Sequence, residues 1–176
     1  MKKNNLISKC PVPVLVLCSL FIICACAPAA ALPNTGVIAI LAAGSSEQQA
    51  ASVTSIMARE FIARGYRVAA PDALAAIRRH SEASAALDGN ANAIMKLSEQ
   101  YGFGSIITAQ IESGSPVQNE FKLYTGTSSI ALMAMNSDGE VIYADTVMGR
   151  QVGYTPLEAA QKSMEAAAQS AVQRML

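Results

Sequence analysis

The stretch VIAILAAGSS, residues 37–46, decides the fold of this 176-residue chain. Its first seven residues form an unbroken apolar run between two glycines, and this length and setting favour a buried central strand over a helix. Ser45 stands three residues before Gln48, the spacing of a capping box, so we predict a helix over residues 46–64. A buried strand that leads into a capped helix indicates a sheet with helices packed on it.

Beyond this stretch, the apolar patterns predict four more strands and three more helices. The strands are predicted over 66–70, 105–111, 129–135 and 140–148, and the helices over 72–80, 91–101 and from Thr155 onward. Ser137-Asp138-Gly139 is a hairpin signal between the last two strands. The last helix carries one apolar stripe, made of Leu157, Ala160, Met164, Ala168, Ala171 and Met175. The order β-α-β-α-α-β-β-β-α predicts a single α/β (α+β) domain with a mixed sheet.

The N-terminal segment has the three parts of an export signal: three early lysines, an apolar run over 12–25 and small residues after it. The tetrapeptide Ile23-Cys24-Ala25-Cys26 resembles the lipobox of bacterial lipoproteins, in which the last cysteine is acylated and the chain is cut before it. We therefore expect a signal peptide over 1–25, a lipidated Cys26 with a linker over 26–36, and a periplasmic domain over 37–176. The alternative is an ordinary secretory signal cut after Ala31.

Export limits what the remaining chain can do. The domain has no cysteine, so core packing alone must hold it together. The leader contains three of the 13 basic residues and none of the 13 acidic ones, which leaves a net charge of −3. That charge argues against nucleic-acid binding, and the expected partners are a membrane, reached through the lipid anchor, and envelope proteins, with a homo-oligomer as one form. Residues 27–36 extend to at most about 35 Å, so the domain should work near its own membrane.

Several phrases of the domain resemble one periplasmic fold. They are VIAILAAG, YRVAAPDALAAI, AIMKLSEQYGFGSIITAQI, SIALMAMNSDGEVIYADTVMG and EAAQKSMEAAAQSAVQRML. This fold is shared by the curli secretion lipoprotein, the amino-terminal domain of the Tol-system translocation protein and the lipoprotein activators of penicillin-binding proteins. The resemblance implies a docking or assembly module without catalytic residues, and Ala27 after the cysteine implies sorting to the outer membrane. Two features of these relatives are not implied for this chain: the barrel-forming hairpins of the curli pore and the long tethers of the activators.

Enzymatic readings remain as alternatives. Residues 41–44, LAAG, resemble a nucleotidyltransferase signature, but Glu47 follows where those enzymes place a basic residue. An exported hydrolase or transferase would have its site near the Gly44–Ser46 turn, and convergence of Ser45, Ser46 and His80 would favour it. A soluble binder of small ligands would need a sizeable apolar cavity. We expect no catalytic residue, no metal site and no cofactor, because His80 is the only histidine.

A predicted loop over 112–127 is the best candidate for a binding site. It holds Phe121, Lys122 and Tyr124, and aromatic and cationic side chains on a long loop suit the docking of a partner. Phe121 and Leu123 are also compatible with a continuing strand. The methionines at strand and helix spacing, Met133, Met135, Met148, Met164 and Met175, are expected in the core.

Overall fold

A computed structural model describes Leu32 and residues 36–176. Its strands are β1 (Val37–Ala43), β2 (Arg67–Val68), β3 (Ser105–Ser113), β4 (Val117–Gln118), β5 (Tyr124–Asn136) and β6 (Val141–Gly153). Its helices are α1 (Glu47–Ala63), α2 (Pro71–Arg79), α3 (Ala83–Leu87), α4 (Ala91–Tyr101) and α5 (Pro156–Met175). The predicted α+β domain with a mixed sheet is confirmed.

The strands form one sheet in which β1 lies parallel to both β2 and β3. β5 then pairs antiparallel with β3 along one side and with β6 along the other. The two-residue strand β4 pairs with Tyr124 and Thr125, just before the part of β5 that pairs with β3. The register changes between Ala134 and Met135, where β6 contains a bulge.

Each face of the sheet has its own core. Helices α1 and α5 cover one face, where Phe61 and Met57 of α1 and Met175 of α5 are fully buried against β1, β3, β5 and β6. Helices α2, α3 and α4 cover the other face over β1 and β3, with Ile94 and Leu97 at its centre. On this second face β6 carries exposed residues, whereas β5 carries mostly half-buried ones and contributes Met135 to the second core.

Helix α5 lies unusually close to β5 and β6 because small residues face each other across the contact. Gly126, Gly149 and Gly153 lie under the helix, and a Cβ atom at Gly149 would stand 2.6 Å from the backbone nitrogen of Ala167. The hydroxyls of Ser128 and Ser163 are hydrogen-bonded at 2.9 Å within this contact. Glycine is therefore required on these strands for the backbone of α5 to approach.

The structure departs from the predicted elements in several places. Strand β2 has two residues instead of the predicted five, and β6 extends to Gly153 instead of ending at 148. Between the helices predicted over 72–80 and 91–101 lies α3, a five-residue helix with no side-chain cap. The loop predicted over 112–127 is partly strand, since it contains β4 and the start of β5. The side chain that caps α1 is Ser46, which accepts from the backbone N–H of Gln49 at 3.2 Å, rather than Ser45.

Two residues predicted to be buried are exposed. Leu157 is excluded from the core because α5 turns its alanines and Ser163 toward the glycines of the sheet. Met148 is exposed because its neighbours Val147 and Gly149 face α5, and successive side chains of a strand point to opposite faces. Of the other methionines, Met135, Met164 and Met175 are buried, and Met133 is half-buried against the second core.

Leu32 is attached to the domain ahead of β1. It is 2% exposed and belongs to the first core, and its carbonyl oxygen accepts from the hydroxyl of Tyr66 at 3.3 Å. Cys26 and the signal segment lie outside the described residues. Among the helices that the structure describes, none combines the length and hydropathy needed to span a bilayer.

Candidate docking surface

Six large exposed apolar side chains lie on β4, on the turn after it, on and just after the second half of β6, and at the start of α5. We call this set the apolar end; it consists of Val117, Phe121, Met148, Val152, Tyr154 and Leu157. Val117 and Val152 both pair with Thr125, from opposite sides, so they lie on one face of the sheet with Thr125 between them. Met148, which is 73% exposed, lies on the same face of β6, with Arg150 between it and Val152.

The turn between β4 and β5 presents Phe121 to solvent and is held by one side chain. The carboxamide oxygen of Asn119 accepts from the backbone N–H groups of Phe121 and Leu123, both at 3.0 Å. Lys122 completes the turn with a positive φ of 60°. Because its backbone is fixed in this way, the turn holds Phe121, 73% exposed, in one direction.

The three residues predicted for partner binding are therefore close in the chain but differ in setting. Phe121 and Lys122 are exposed at the turn, whereas Tyr124 is half-buried and begins β5, where it pairs with Gln118 and Gly153. Strand alternation puts Tyr124 on the α5 face, with Gly126 and Ser128. The strand alternative for Phe121 and Leu123 is wrong, because both residues precede β5, which begins at Tyr124.

A capping box fixes the other side of the apolar end. The hydroxyl of Thr155 accepts from the backbone N–H of Glu158 at 3.1 Å, and the Glu158 carboxylate accepts from the backbone N–H of Tyr154 at 2.8 Å. The hydrogen bond from Lys162, followed by the one from the Tyr154 backbone, lowers the pKa of Glu158 below its usual range. These contacts lock the corner that exposes Tyr154 and Leu157.

Sequence reasoning missed Met148 and Leu157 because both were assigned to the core. The signal that could have found Met148 is the spacing of Gly149 and Gly153 on β6. Two glycines at i and i+4 on a strand indicate a face that is packed closely against another backbone. The residues that alternate with that face therefore point to the opposite, outer face of the sheet. Met148 and Val152 then fall on the exposed face.

The residues of the enzymatic alternative do not converge. Ser45 and Ser46 line a depression of about 610 Å³ between α1 and α5, together with Gln49 and Ser113. His80 lies at the end of α2 with its ring centroid 6.0 Å from that of Tyr101, and it does not line this depression. Within Leu32 and residues 36–176, no group of three or more His, Cys, Asp or Glu side chains is arranged to hold a metal ion.

A polar cluster joins the far end of α5 to β6. Asp145 accepts from Arg174 at 3.0 Å, from the hydroxyl of Tyr143 at 3.1 Å and from the backbone N–H of Thr146 at 2.8 Å. The Arg174 hydrogen bond is the main reason that the pKa of Asp145 is lowered. Burial, followed by the Asp145 hydrogen bond, raises the pKa of Tyr143.

Replacing Arg174 by glutamine is expected to raise the pKa of Asp145, because the guanidinium that stabilises the carboxylate is lost. A group whose pKa is lowered on folding stabilises the fold above its unfolded-state pKa, and this contribution is lost as the pH falls through the lowered value. We therefore expect the parent to have a higher free energy of unfolding than Arg174→Gln at neutral pH. This difference should disappear as the pH falls through the lowered pKa of Asp145. Carboxyl ¹³C shifts measure the pKa, with Arg150→Gln as the control; an unchanged Asp145 titration in Arg174→Gln would contradict the assignment.

Comparison with known proteins places the chain. Residues 35–176 match the family model described as TP0693-like lipoprotein, C-terminal domain, so the lipoprotein resemblance drawn from the sequence is confirmed. No curated protein shows a significant match.

Solved structures resemble the chain at low identity. The PelC dodecamer from Paraburkholderia phytofirmans has a TM-score of 0.52 at 13% identity, covering 82% of this chain and 90% of that one. Lipoprotein GNA1162 from Neisseria meningitidis has a TM-score of 0.48 at 15% identity, covering 68% and 83%. The LpoB C-terminal domain from Salmonella enterica has a TM-score of 0.40 at 12% identity, covering 66% and 83%. The likeness to PelC shows a shared fold and nothing beyond the fold.

Proposed function

Because the chain belongs to the family of the TP0693-like lipoprotein, C-terminal domain, we propose that residues 37–176 form a docking module that binds another envelope protein. In this proposal residues 1–25 are an export signal, and residues 26–36 comprise Cys26, which carries the acyl chains, and a linker. The anchor holds the module at the periplasmic face of the outer membrane. The module works by binding and performs no bond chemistry.

The observation that carries the proposal is the concentration of apolar surface. Within the described residues nine large apolar side chains are exposed, and six of them form the apolar end. Single exposed apolar residues are ordinary on a protein surface, whereas a contiguous group rimmed by polar residues marks an interaction site. Val117, Val152 and Met148 share one face of the sheet, with Arg150 between Val152 and Met148, and Lys122 follows Phe121 in the turn; neither cation forms an ion pair within the part of the chain that the structure describes.

The composition of the apolar end suits a protein partner. Phe121, Tyr154 and Met148 belong to the residue types that are enriched in interface cores. Their backbone is held in place by Asn119 and by the cap of α5, so little ordering is needed when a partner binds. A preformed apolar surface with a few aromatic anchors is what a docking module requires.

The enzyme alternative would use the depression beside Ser45 and Ser46. Its described lining is made of hydroxyl, amide and apolar groups with one carboxylate, Glu165. Gln49 occupies its floor, where the carboxamide oxygen accepts from the Ser45 hydroxyl at 2.8 Å and the amide donates to Ser113 at 2.7 Å. These groups are engaged with one another, which favours a structural role for the turn.

Replacing Phe121 and Met148 together by serine is expected to weaken partner binding at least tenfold, because two exposed anchors are lost without touching the core. A photo-crosslinking residue at position 121 or 148 in living cells should give one discrete adduct with a heavier envelope protein. Position 141 is the matched control, since Val141 is an exposed apolar residue at the opposite end of the same strand.

Three outcomes of this experiment would contradict the proposal. The first is equal crosslinking from position 141, and the second is no adduct from either test position. The third is an adduct at a multiple of the chain's own mass, which would assign the apolar end to self-association instead.

A further inference from the structure

A second concave site lies away from the apolar end, between α1 and α2. It has a volume of about 510 Å³, within the range of roughly 300–1,000 Å³ that is typical of small-molecule sites. Its apolar lining comes from Ala58 and Ile62 of α1, Val68 of β2, and Leu74 and Ala75 of α2. The polar lining includes two arginines, Arg59 and Arg78, and no carboxylate.

Arg78 is the feature of this groove that lacks an explanation in the fold. It is half-buried, and its one hydrogen bond among the described residues runs from Nη2 to the hydroxyl of Thr54 at 3.4 Å. Thr54 uses its own proton to donate to the carbonyl of Ala50 at 2.8 Å, so its oxygen is free to accept. The Nε atom of Arg78 is buried and has no hydrogen-bond partner within the described residues.

A buried guanidinium N–H group without an acceptor is costly, and an anion is the partner that guanidinium binds best. Arg78 also forms no salt bridge within the part of the chain that the structure describes, unlike Arg59 on the opposite wall, which lies 3.4 Å from Glu165. The groove therefore combines an apolar lining with a guanidinium whose buried Nε has no acceptor within the described residues.

We propose that the groove between α1 and α2 binds an anionic amphiphile, with its carboxylate or phosphate head on Arg78 and its hydrocarbon chain against Ile62, Val68 and Leu74. Charge complementarity selects an anion over a neutral or cationic amphiphile. The apolar lining selects a hydrocarbon chain over a small inorganic anion. The site shares no residue with the apolar end, so this proposal stands independently of the docking function.

Calorimetry on residues 27–176, which contain every residue of both cores, tests the proposal with three probes. Dodecanoate should bind at least tenfold more tightly than dodecanol, and dodecyltrimethylammonium should not bind. Arg78→Gln should weaken dodecanoate binding at least tenfold and leave dodecanol binding unchanged. Arg79→Gln is the matched control, because Arg79 is the exposed neighbour of Arg78 on the same helix and does not line the groove.

A second variant tests the contribution of the apolar groove to binding separately from that of the Arg78 charge. Ala75→Leu adds volume at a half-buried helical position that lines the groove, so it should abolish binding of both dodecanoate and dodecanol while the domain stays folded by circular dichroism. Vesicles of phosphatidylglycerol distinguish a phospholipid from a free fatty acid. If the protein cosediments with the vesicles and Arg78→Gln does not, the ligand is a phospholipid. If the protein binds dodecanoate but does not cosediment with the vesicles, the ligand is a free fatty acid.

Equal affinity for dodecanoate and dodecanol would overturn the proposal, as would an Arg78→Gln variant that binds dodecanoate like the parent. Binding that is limited to a peptide with a free C-terminal carboxylate would overturn it as well, because the occupant would then be a protein.

Discussion

Gly149→Ala is expected to destabilise the domain by about 3 kcal/mol or more, although it adds a single methyl group. That methyl group would meet backbone atoms of α5, the carbonyl oxygen of Ser163 and the nitrogen of Ala167, which no rotamer change can move away. Relief requires the helix to lift off β6, which would open the first core along Val147 and Ala167.

Urea unfolding of residues 27–176, followed by circular dichroism, measures this effect. Gly114→Ala is the matched control: the added methyl group would meet the hydroxyl of Thr127 at 2.9 Å, the end of a side chain that is able to rotate. We expect the control to change stability by less than about 1 kcal/mol. If Gly149→Ala unfolded at the same urea concentration as the parent, the close approach of α5 to the sheet would be refuted.

The second large effect concerns the anchor. Cys26→Ala is expected to move the full-length protein from the membrane fraction to the soluble fraction and to abolish palmitate labelling. Each buried methylene of an acyl chain contributes about 0.8 kcal/mol, so the loss of the chains removes the whole driving force for membrane attachment.

Cys24→Ala is the control, because it alters a cysteine two residues away in the same apolar run and leaves the proposed acylation site intact. It should fractionate and label like the parent. Mass spectrometry of the mature N-terminus is the independent check, and a plain peptide that begins at Leu32 would show that the signal is cut after Ala31 and that Cys26 carries nothing.

Elements with strong local signals were predicted well. β1 is bounded by glycines and α4 ends at Gly102, which adopts the left-handed conformation that stops a helix, so both have the predicted ends. The start of α5 follows from Thr155 and Glu158 in the same way. In each case the residues that set the boundary are neighbours in the chain, and this is the information that a sequence pattern contains.

Features that depend on distant contacts were not predictable by the same means. Gly114, Pro116 and Gly126 indicated a loop over 112–127, yet Gly126 lies within β5 because α5 passes directly over it. Similarly, Leu157 was assigned to the core because the pattern favours large apolar residues on the buried face. Where α5 crosses the glycines of the sheet, its buried face is built from small residues, Ala159, Ser163 and Ala167.

The candidate site was predicted in part. Phe121 and Lys122 were identified from residue type and loop length, and they lie at the exposed turn. Their companions Val152 and Tyr154 come from a segment 30 residues later in the chain, and only the pairing of β5 with β6 makes them neighbours. Whether these residues bind a partner stays a prediction.

If Cys26 is acylated as proposed, the burial of Leu32 limits how far the domain stands from the bilayer. Residues 27–31 alone would then separate the lipid from the first buried residue, a span of about 20 Å at full extension. Tyr66, which is hydrogen-bonded to Leu32, precedes β2 at the end of the sheet where the parallel strands β1, β2 and β3 begin. Phe121 lies beyond the opposite end, where β3 finishes. The proposed anchor would therefore hold the end of the domain that carries Leu32 near the lipid headgroups, and the opposite end, with Phe121, would face away from the membrane.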